Sequence, residues 1–247
     1  MSAAQSIAPP WLRVDGLSKT YGHLTALDSV SFSICQGEIL GLIGPNGAGK
    51  TTLFECLAGV LPHAGAHEIL SGVGRSRDRS DLLFYVPDGI TPWPDQPLGW
   101  VLRFVVGFLG GRAEWHDEVV TALGLAPLLR QRIGSLSKGQ RKRALLAVGL
   151  LTPQPLLLID EPFEGLDLRQ SREVAATLRS HVSTGRTLFL SIHQIHDAAR
   201  FCDRFVLLSG GRVCAEGTAA ELTARAATVR ESDDGLADFE EVFLALT

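Results

Sequence analysis

The sequence is poor in the features that mark several whole classes of protein. Its 247 residues hold four cysteines, at 35, 56, 202 and 214, and no CxxC pair. That spacing suggests neither a zinc site nor a disulfide framework, and a reducing cytoplasm suits it. Charge of one sign is also scarce. A formal net charge of -4 provides no basic excess for gripping a phosphate backbone, so no nucleic-acid partner is expected. Long apolar runs are missing. The longest, near residues 104–109 and 144–151, fall far short of the roughly 18 residues that a membrane-spanning helix needs. Residues 1–10 carry neither the charged nor the apolar part of a secretory signal, so none is expected. Hydrophobic residues make up 45% of the chain, ample for a sizeable core. For a soluble chain that is rather apolar, and it leaves room for a docking surface.

What is present is organised around Gly44-Pro45-Asn46-Gly47-Ala48-Gly49-Lys50-Thr51-Thr52. The apolar run 38–43 before it reads as a buried strand, and residues 53–58 after it read as a helix. Strand, glycine-rich loop and helix in that order are the setting of a phosphate-binding loop. Glycines let backbone N–H groups converge on an anion. The start of the helix adds the positive end of its dipole at the same place. Lys50 would put a charge on the outer phosphates, and Thr51 a hydroxyl on Mg²⁺.

The rest of the chain reads as alternating strands and helices. Residues 11–17 form a first strand, and 26–35 alternate with Val30, Phe32 and Ile34 on one face, as a half-buried antiparallel strand does. Tyr21 between them is either a platform for an adenine ring or an ordinary strand-end aromatic. Residues 62–79 read as loops with a short strand near 68–70. Strand 82–86 ends at Pro87-Asp88, which forces an exit. A proline-rich stretch and helices at 99–109 and 114–123 then read as an inserted helical unit. Its cluster of Trp93, Trp100, Phe104, Val105 and Phe108 either forms that unit's own core or lines a groove for a partner helix.

Ser137 is placed to cap a helix over 141–151, and the capped end could bind an anion. The basic run Arg141-Lys142-Arg143 reads as a solvated face. Residues 155–161, Pro-Leu-Leu-Leu-Ile-Asp-Glu, suggest a strand buried on both faces. Asp160 and Glu161 at its C-terminal end lie where parallel sheets bind ligands. Burying carboxylates there is costly without a cation, so a metal role follows. A turn, Glu164-Gly165-Leu166-Asp167, leads into helix 169–181. His193 follows strand 187–191 at the same sheet edge. A hairpin over 204–215, a helix over 218–226 and a short amphipathic helix over 238–246 complete the chain.

This set of motifs, in this order, resembles the ATP-binding subunit of ABC transporters from about residue 12 onward. Gly44–Thr52 resembles the Walker A loop, and Leu136-Ser137-Lys138-Gly139-Gln140 the signature sequence. Leu156–Asp160 resembles Walker B, with Glu161 in the place of the catalytic carboxylate. Leu166-Asp167 resembles the D-loop, and His193 stands where the family has its switch histidine. The resemblance implies an α/β fold: a P-loop NTPase core with a mixed sheet flanked by helices, an antiparallel β subdomain and an inserted α-helical subdomain. It implies a tail over 1–10, an ATPase domain over 11–227 with the helical insert at about 89–152, and a linker and short helix over 228–247.

The resemblance also implies ATP and Mg²⁺ as cofactors. Tyr21, Gly44, Pro45, Asn46, Gly47, Ala48, Gly49, Lys50, Thr51, Thr52 and Asp88 would contact the nucleotide. Ser137, Gly139, Gln140 and Asp167 would do so across a pair of subunits. Thr51, Asp160 and Asp88 would serve the metal, while Glu161, His193 and Lys50 would carry catalysis. Expected partners are a second ATP-binding subunit, identical or not, and a polytopic membrane permease docking near the Asp88 loop and the helical subdomain. The expected place is the cytoplasmic side of the membrane, held peripherally. The ending Asp238–Thr247 resembles exporters of the drug and antibiotic self-resistance kind. An alternative is a non-transport ABC-type ATPase acting as a switch or assembly factor. Three residues depart from the family pattern: Asp88 replaces a usual Gln, Lys138 a usual Gly, and Glu164 a usual small polar residue.

Overall fold

The computed structural model describes residues 10–69, 79–193, 201–229 and 239–246. The chain begins with β1 (Pro10–Tyr21), β2 (Leu24–Cys35), β3 (Ile39–Ile43), α1 (Lys50–Ala58) and β4 (Ala64–Ile69). A short α2 (Arg79–Leu82) and β5 (Leu83–Val86) lead to the helical insert of α3 (Leu98–Phe108), α4 (His116–Ala122) and α5 (Lys138–Leu151). Then come β6 (Leu156–Ile159), α6 (Leu168–Ser183), β7 (Thr187–Ile192), β8 (Arg204–Ser209) and β9 (Arg212–Gly217). The last described helices are α7 (Ala219–Val229) and α8 (Phe239–Leu246).

Two sheets result. The smaller is antiparallel, in the order β2-β1-β4, and the larger runs β5-β6-β7-β3-β8-β9. In the larger sheet β5, β6, β7, β3 and β8 are parallel and β9 closes it antiparallel, so the sheet is mixed. β3, β6 and β7 are buried along their whole length, as strands covered on both faces must be. β2 instead alternates, with Leu27, Val30, Phe32 and Ile34 inward.

The period of two divides the core. Leu40, Leu42, Leu156, Leu158 and Phe189 face the smaller sheet and α1. Ile39, Ile43, Leu157, Ile159, Leu188 and Leu190 belong to the core shared with α5 and α6. Phe189 joins three elements, with its ring centroid 4.9 Å from Phe54 of α1 and 5.3 Å from Phe32 of β2.

The insert is fastened at its far end by Arg186, which is only 2% exposed. Its guanidinium donates to the carbonyls of Leu150, Thr152 and Gln154 around the C-terminus of α5. A cation there meets the negative end of the helix dipole. Trp115 lies against Arg112, 4.4 Å from its ring centroid, and edge-on to His181 at 4.8 Å. Burial, helped by the charges of Arg186 and Arg112, pushes His181 down to about 4 and keeps it neutral.

Two expectations change. The run 141–143 is not simply a solvated face, because Lys142 is 5% exposed. The aromatic cluster also splits. Val105 is buried, but Trp93, Trp100 and Phe108 are 44%, 41% and 73% exposed. Phe104 stacks on both Trp100 and Phe108, at 5.2 Å and 5.1 Å, to make an outward ridge along α3. Among the described residues no helix is long and apolar enough to cross a membrane. The expected tail at 1–9, the end of the 68–70 strand and the linker at 230–238 lie outside the described residues.

Phe189→Ala removes the ring that joins β2, α1 and β7. We expect a loss of about 3–5 kcal/mol in urea denaturation; a loss under about 1 kcal/mol would refute this packing account.

Candidate active site

The site lies at the C-terminal edge of the larger sheet. β3 ends at Ile43 and the chain loops over to α1. Gly49 turns that loop into the helix with φ 104°, and a Cβ there would lie 2.7 Å from the carbonyl oxygen of Ala26. Only glycine suits both demands. Lys50, the first residue of α1, is 7% exposed. Its Nζ donates to the carbonyls of Gly44 (2.7 Å) and Pro45 (3.3 Å) and stands 3.9 Å from Glu161 Oε1. Burial lowers the affinity of Lys50 for its proton, and the charges of Glu161 and Asp160 oppose that.

Asp160 ends β6 and is 3% exposed. Thr51 Oγ1 donates to its Oδ2 at 2.8 Å, and Ser191 Oγ donates to its Oδ1. The Ser191 hydroxyl also accepts the backbone N–H of Glu161 at 2.9 Å. Glu161 has φ 48°, the left-handed region, although it is not glycine. Such a conformation costs on the order of 1–3 kcal/mol and persists only where surroundings enforce it. Burial pushes the Glu161 carboxyl up, with Lys50 opposing and Asp160 adding to the rise.

These groups line one cavity of about 730 Å³. The Walker-like loop contributes Pro45, Asn46, Gly47, Gly49, Lys50, Thr51 and Thr52 to its wall. Tyr21, Asp88, Asp160, Glu161 and His193 line it as well. Ala48 is buried behind the loop, and Gly44 supplies a carbonyl to Lys50. Tyr21 is 43% exposed, with Lys19 Nζ 5.0 Å from its ring centroid. Asp88 turns Oδ1 toward the buried amine of Lys142.

Ser137, Gly139 and Gln140 do not line this cavity. Ser137 and Gln140 cap α5 reciprocally: Gln140 N–H donates to Ser137 Oγ (3.3 Å) and Ser137 N–H to Gln140 Oε1 (2.9 Å). Asp167 likewise stands outside the wall and caps α6, accepting from Gln170 N at 2.8 Å. Among the described residues no group of three or more His, Cys, Asp and Glu is placed to hold a metal. The oxygens of Thr51, Asp160 and Asp88 nonetheless fit a hard cation that takes most of its ligands from phosphates and water.

A family model described as ABC transporter matches residues 27–164, from β2 through the Asp160–Glu164 corner. The chain belongs to the ABC transporter family. It is 36% identical over 225 residues to the daunorubicin resistance ATP-binding protein of Streptomyces coeruleorubidus, covering 86% of this chain and 70% of that relative. It is 33% identical over 220 residues to a Nod factor export ATP-binding protein of Ralstonia nicotianae, covering 86% and 68%. A solved ATP-binding subunit of an ABC transporter superposes with TM-score 0.83 at 27% identity, covering 96% of this chain and 99% of that one. This ABC protein is an ATP-binding subunit, and its reaction is hydrolysis of ATP to ADP and phosphate.

Two residues of the site escaped sequence reading. Ser191 left one signal, a hydroxyl at the end of the buried apolar run Leu188–Leu190, two residues before His193. Lys142 left none, since its neighbours in sequence are both basic. Ser191→Ala frees one oxygen of Asp160 and the N–H of Glu161. We expect kcat to fall on the order of tenfold or more with KM less affected; an unchanged kcat would show that the hydroxyl orders nothing.

Proposed function

We propose that this chain powers export through a separate membrane subunit, with the named residues acting as follows. The observation that carries the reading is the bond from Thr51 to Asp160. It joins the glycine-rich loop to the strand end beneath one cavity, with Lys50 beside Glu161. ATP lies in that cavity, its phosphates over the backbone N–H groups of Gly47–Thr52 and the start of α1. Tyr21 offers the adenine a stacking face. Lys50 neutralises charge on the outer phosphates. Thr51 and Asp160, with Asp88 near, would hold Mg²⁺, which supplies charge stabilisation for phosphoryl transfer. Glu161 accepts hydrogen-bonding from the attacking water and orients it; its raised carboxyl suits a base. His193, exposed at the end of β7, meets the γ-phosphate.

Ser137, Gly139 and Gln140 do not line their own cavity. That supports a head-to-tail pair in which they serve the second subunit's nucleotide, with Asp167 at the seam. Export is supported by the relatives, whose names are of drug resistance and Nod factor export. The exposed ridge of Trp93, Trp100 and Phe108 supports docking of a polytopic membrane subunit against the insert and the Asp88 loop, at the cytoplasmic face.

Glu161→Gln keeps the shape and removes the base. In the assembled pair we expect ATP to bind with turnover reduced about 100-fold or more; undiminished turnover would remove the assigned role. Phe108→Glu places a charge on the ridge. ATP binding by the chain is expected to persist while co-purification with its membrane subunit is lost, and retained co-purification would place the contact elsewhere.

A further inference from the structure

The three departures from the family pattern fall into two pairs: Lys138 with Glu164, and Asp88 with a fourth residue, Lys142. Lys138 Nζ donates to Glu164 Oε1 at 2.5 Å. Lys142 Nζ donates to Asp88 Oδ1 and reaches the Asp160 carbonyl at 3.4 Å. The two lysines are one turn apart on α5 and share a stripe. The two acids follow β5 and β6, which are parallel neighbours. Two cations on one helix thus meet two carboxylates on the loops that follow adjacent strands, and both carboxylates line the cavity. The approach is close: a Cβ on Gly139 would lie 2.9 Å from the carbonyl oxygen of Gly165.

Local helix preferences argue against this arrangement. α5 has no acid in its first turn, and Lys138 sits at the positive end of the dipole. A local rule broken with tertiary compensation marks a site under a functional constraint. The two pairs are unequal. Lys138 and Glu164 are 66% and 44% exposed, and such pairs contribute little. Lys142 and Asp88 are 5% and 31% exposed, and removing one member of a buried pair strands the other.

We propose that Lys142 is a positioning residue, which neutralises Asp88 inside the nucleotide cavity and ties the Asp88 loop to α5. Asp88 and Lys142 then act as one neutral unit where the family has an uncharged side chain. The need is electrostatic. A triphosphate entering this cavity already faces Asp160 and Glu161, and a further unmasked acid would repel it. The proposal rests on the ATP-binding reading of the cavity.

The test is a charge cycle on the full chain: Asp88→Gln, Lys142→Gln, the double variant and Lys142→Arg. Titration with ATP and Mg²⁺ is read beside the thermal midpoint without nucleotide. Lys142→Gln is expected to weaken ATP binding on the order of tenfold, because Asp88 then faces the phosphates. Asp88→Gln leaves Lys142 buried without a counter-charge and is expected to lower the midpoint by roughly 5–10 °C. The double variant recovers most of both losses, and Lys142→Arg retains affinity. Losses that simply add in the double variant, or unchanged affinity in Lys142→Gln, overturn the proposal. Should Lys142→Gln fail to fold, the double variant must fold; if it does not, the pairing account is wrong. A wild-type chain that binds no ATP would instead fell the functional reading, and the melting cycle would still decide the pair.

Discussion

The site depends on how one buried carboxylate is satisfied. Asp160 sits at the end of a fully buried strand, where a carboxylate needs a donor on each oxygen. It finds Thr51 on one side and Ser191 on the other. Those donors come from α1 and β7, so the carboxylate fixes the register of the glycine-rich loop against two strands. Glu161 inherits its place from the same group, because Ser191 also holds its N–H. Its strained backbone is then enforced rather than tolerated. Lys50 and Glu161 face each other across the gap this leaves.

Charge around the cavity is balanced by geometry. Acids at strand ends are useful for orienting a cation and water, yet they oppose a polyanion. Lys50 offsets that from within the loop. Lys142 offsets it from the helical insert, at Asp88. The insert is therefore part of the electrostatic design of the site. Its far end is held by Arg186 among the last carbonyls of α5, while its near end meets the strand edge through lysines. The element is thus fixed by polar contacts at both ends, with an aromatic ridge left outward.

The core explains why the edge can be this polar. Residues of alternate parity along β3, β6 and β7 feed two apolar layers. The sheet between them is packed on both faces and holds the polar groups at its rim. That relation between a well-packed scaffold and a strained rim is general for sites of chemistry.

Much was legible from sequence because its causes are local. The glycine loop, the continuous apolar runs and the acids after Leu158-Ile159 each state their structure within a few residues. The Ser137 cap is equally local, being set by the turn it opens. Tertiary structure alone decided the rest. Lys142 reads as one of three basic residues, and only the folding of α5 onto the Asp88 loop buries it. Ser191 reads as a strand residue until β6 and β7 lie side by side. The aromatics of α3 share a helical stripe in either setting, and only the packing of Val105 inward turns Trp100 and Phe108 out. By itself the sequence determined the phosphate loop, the strand-end acids and the order of elements, since these follow from short-range sterics and periodicity. Which charges meet, and which apolar face stays uncovered, depended on contacts between residues far apart in the chain, and only the tertiary structure decided those.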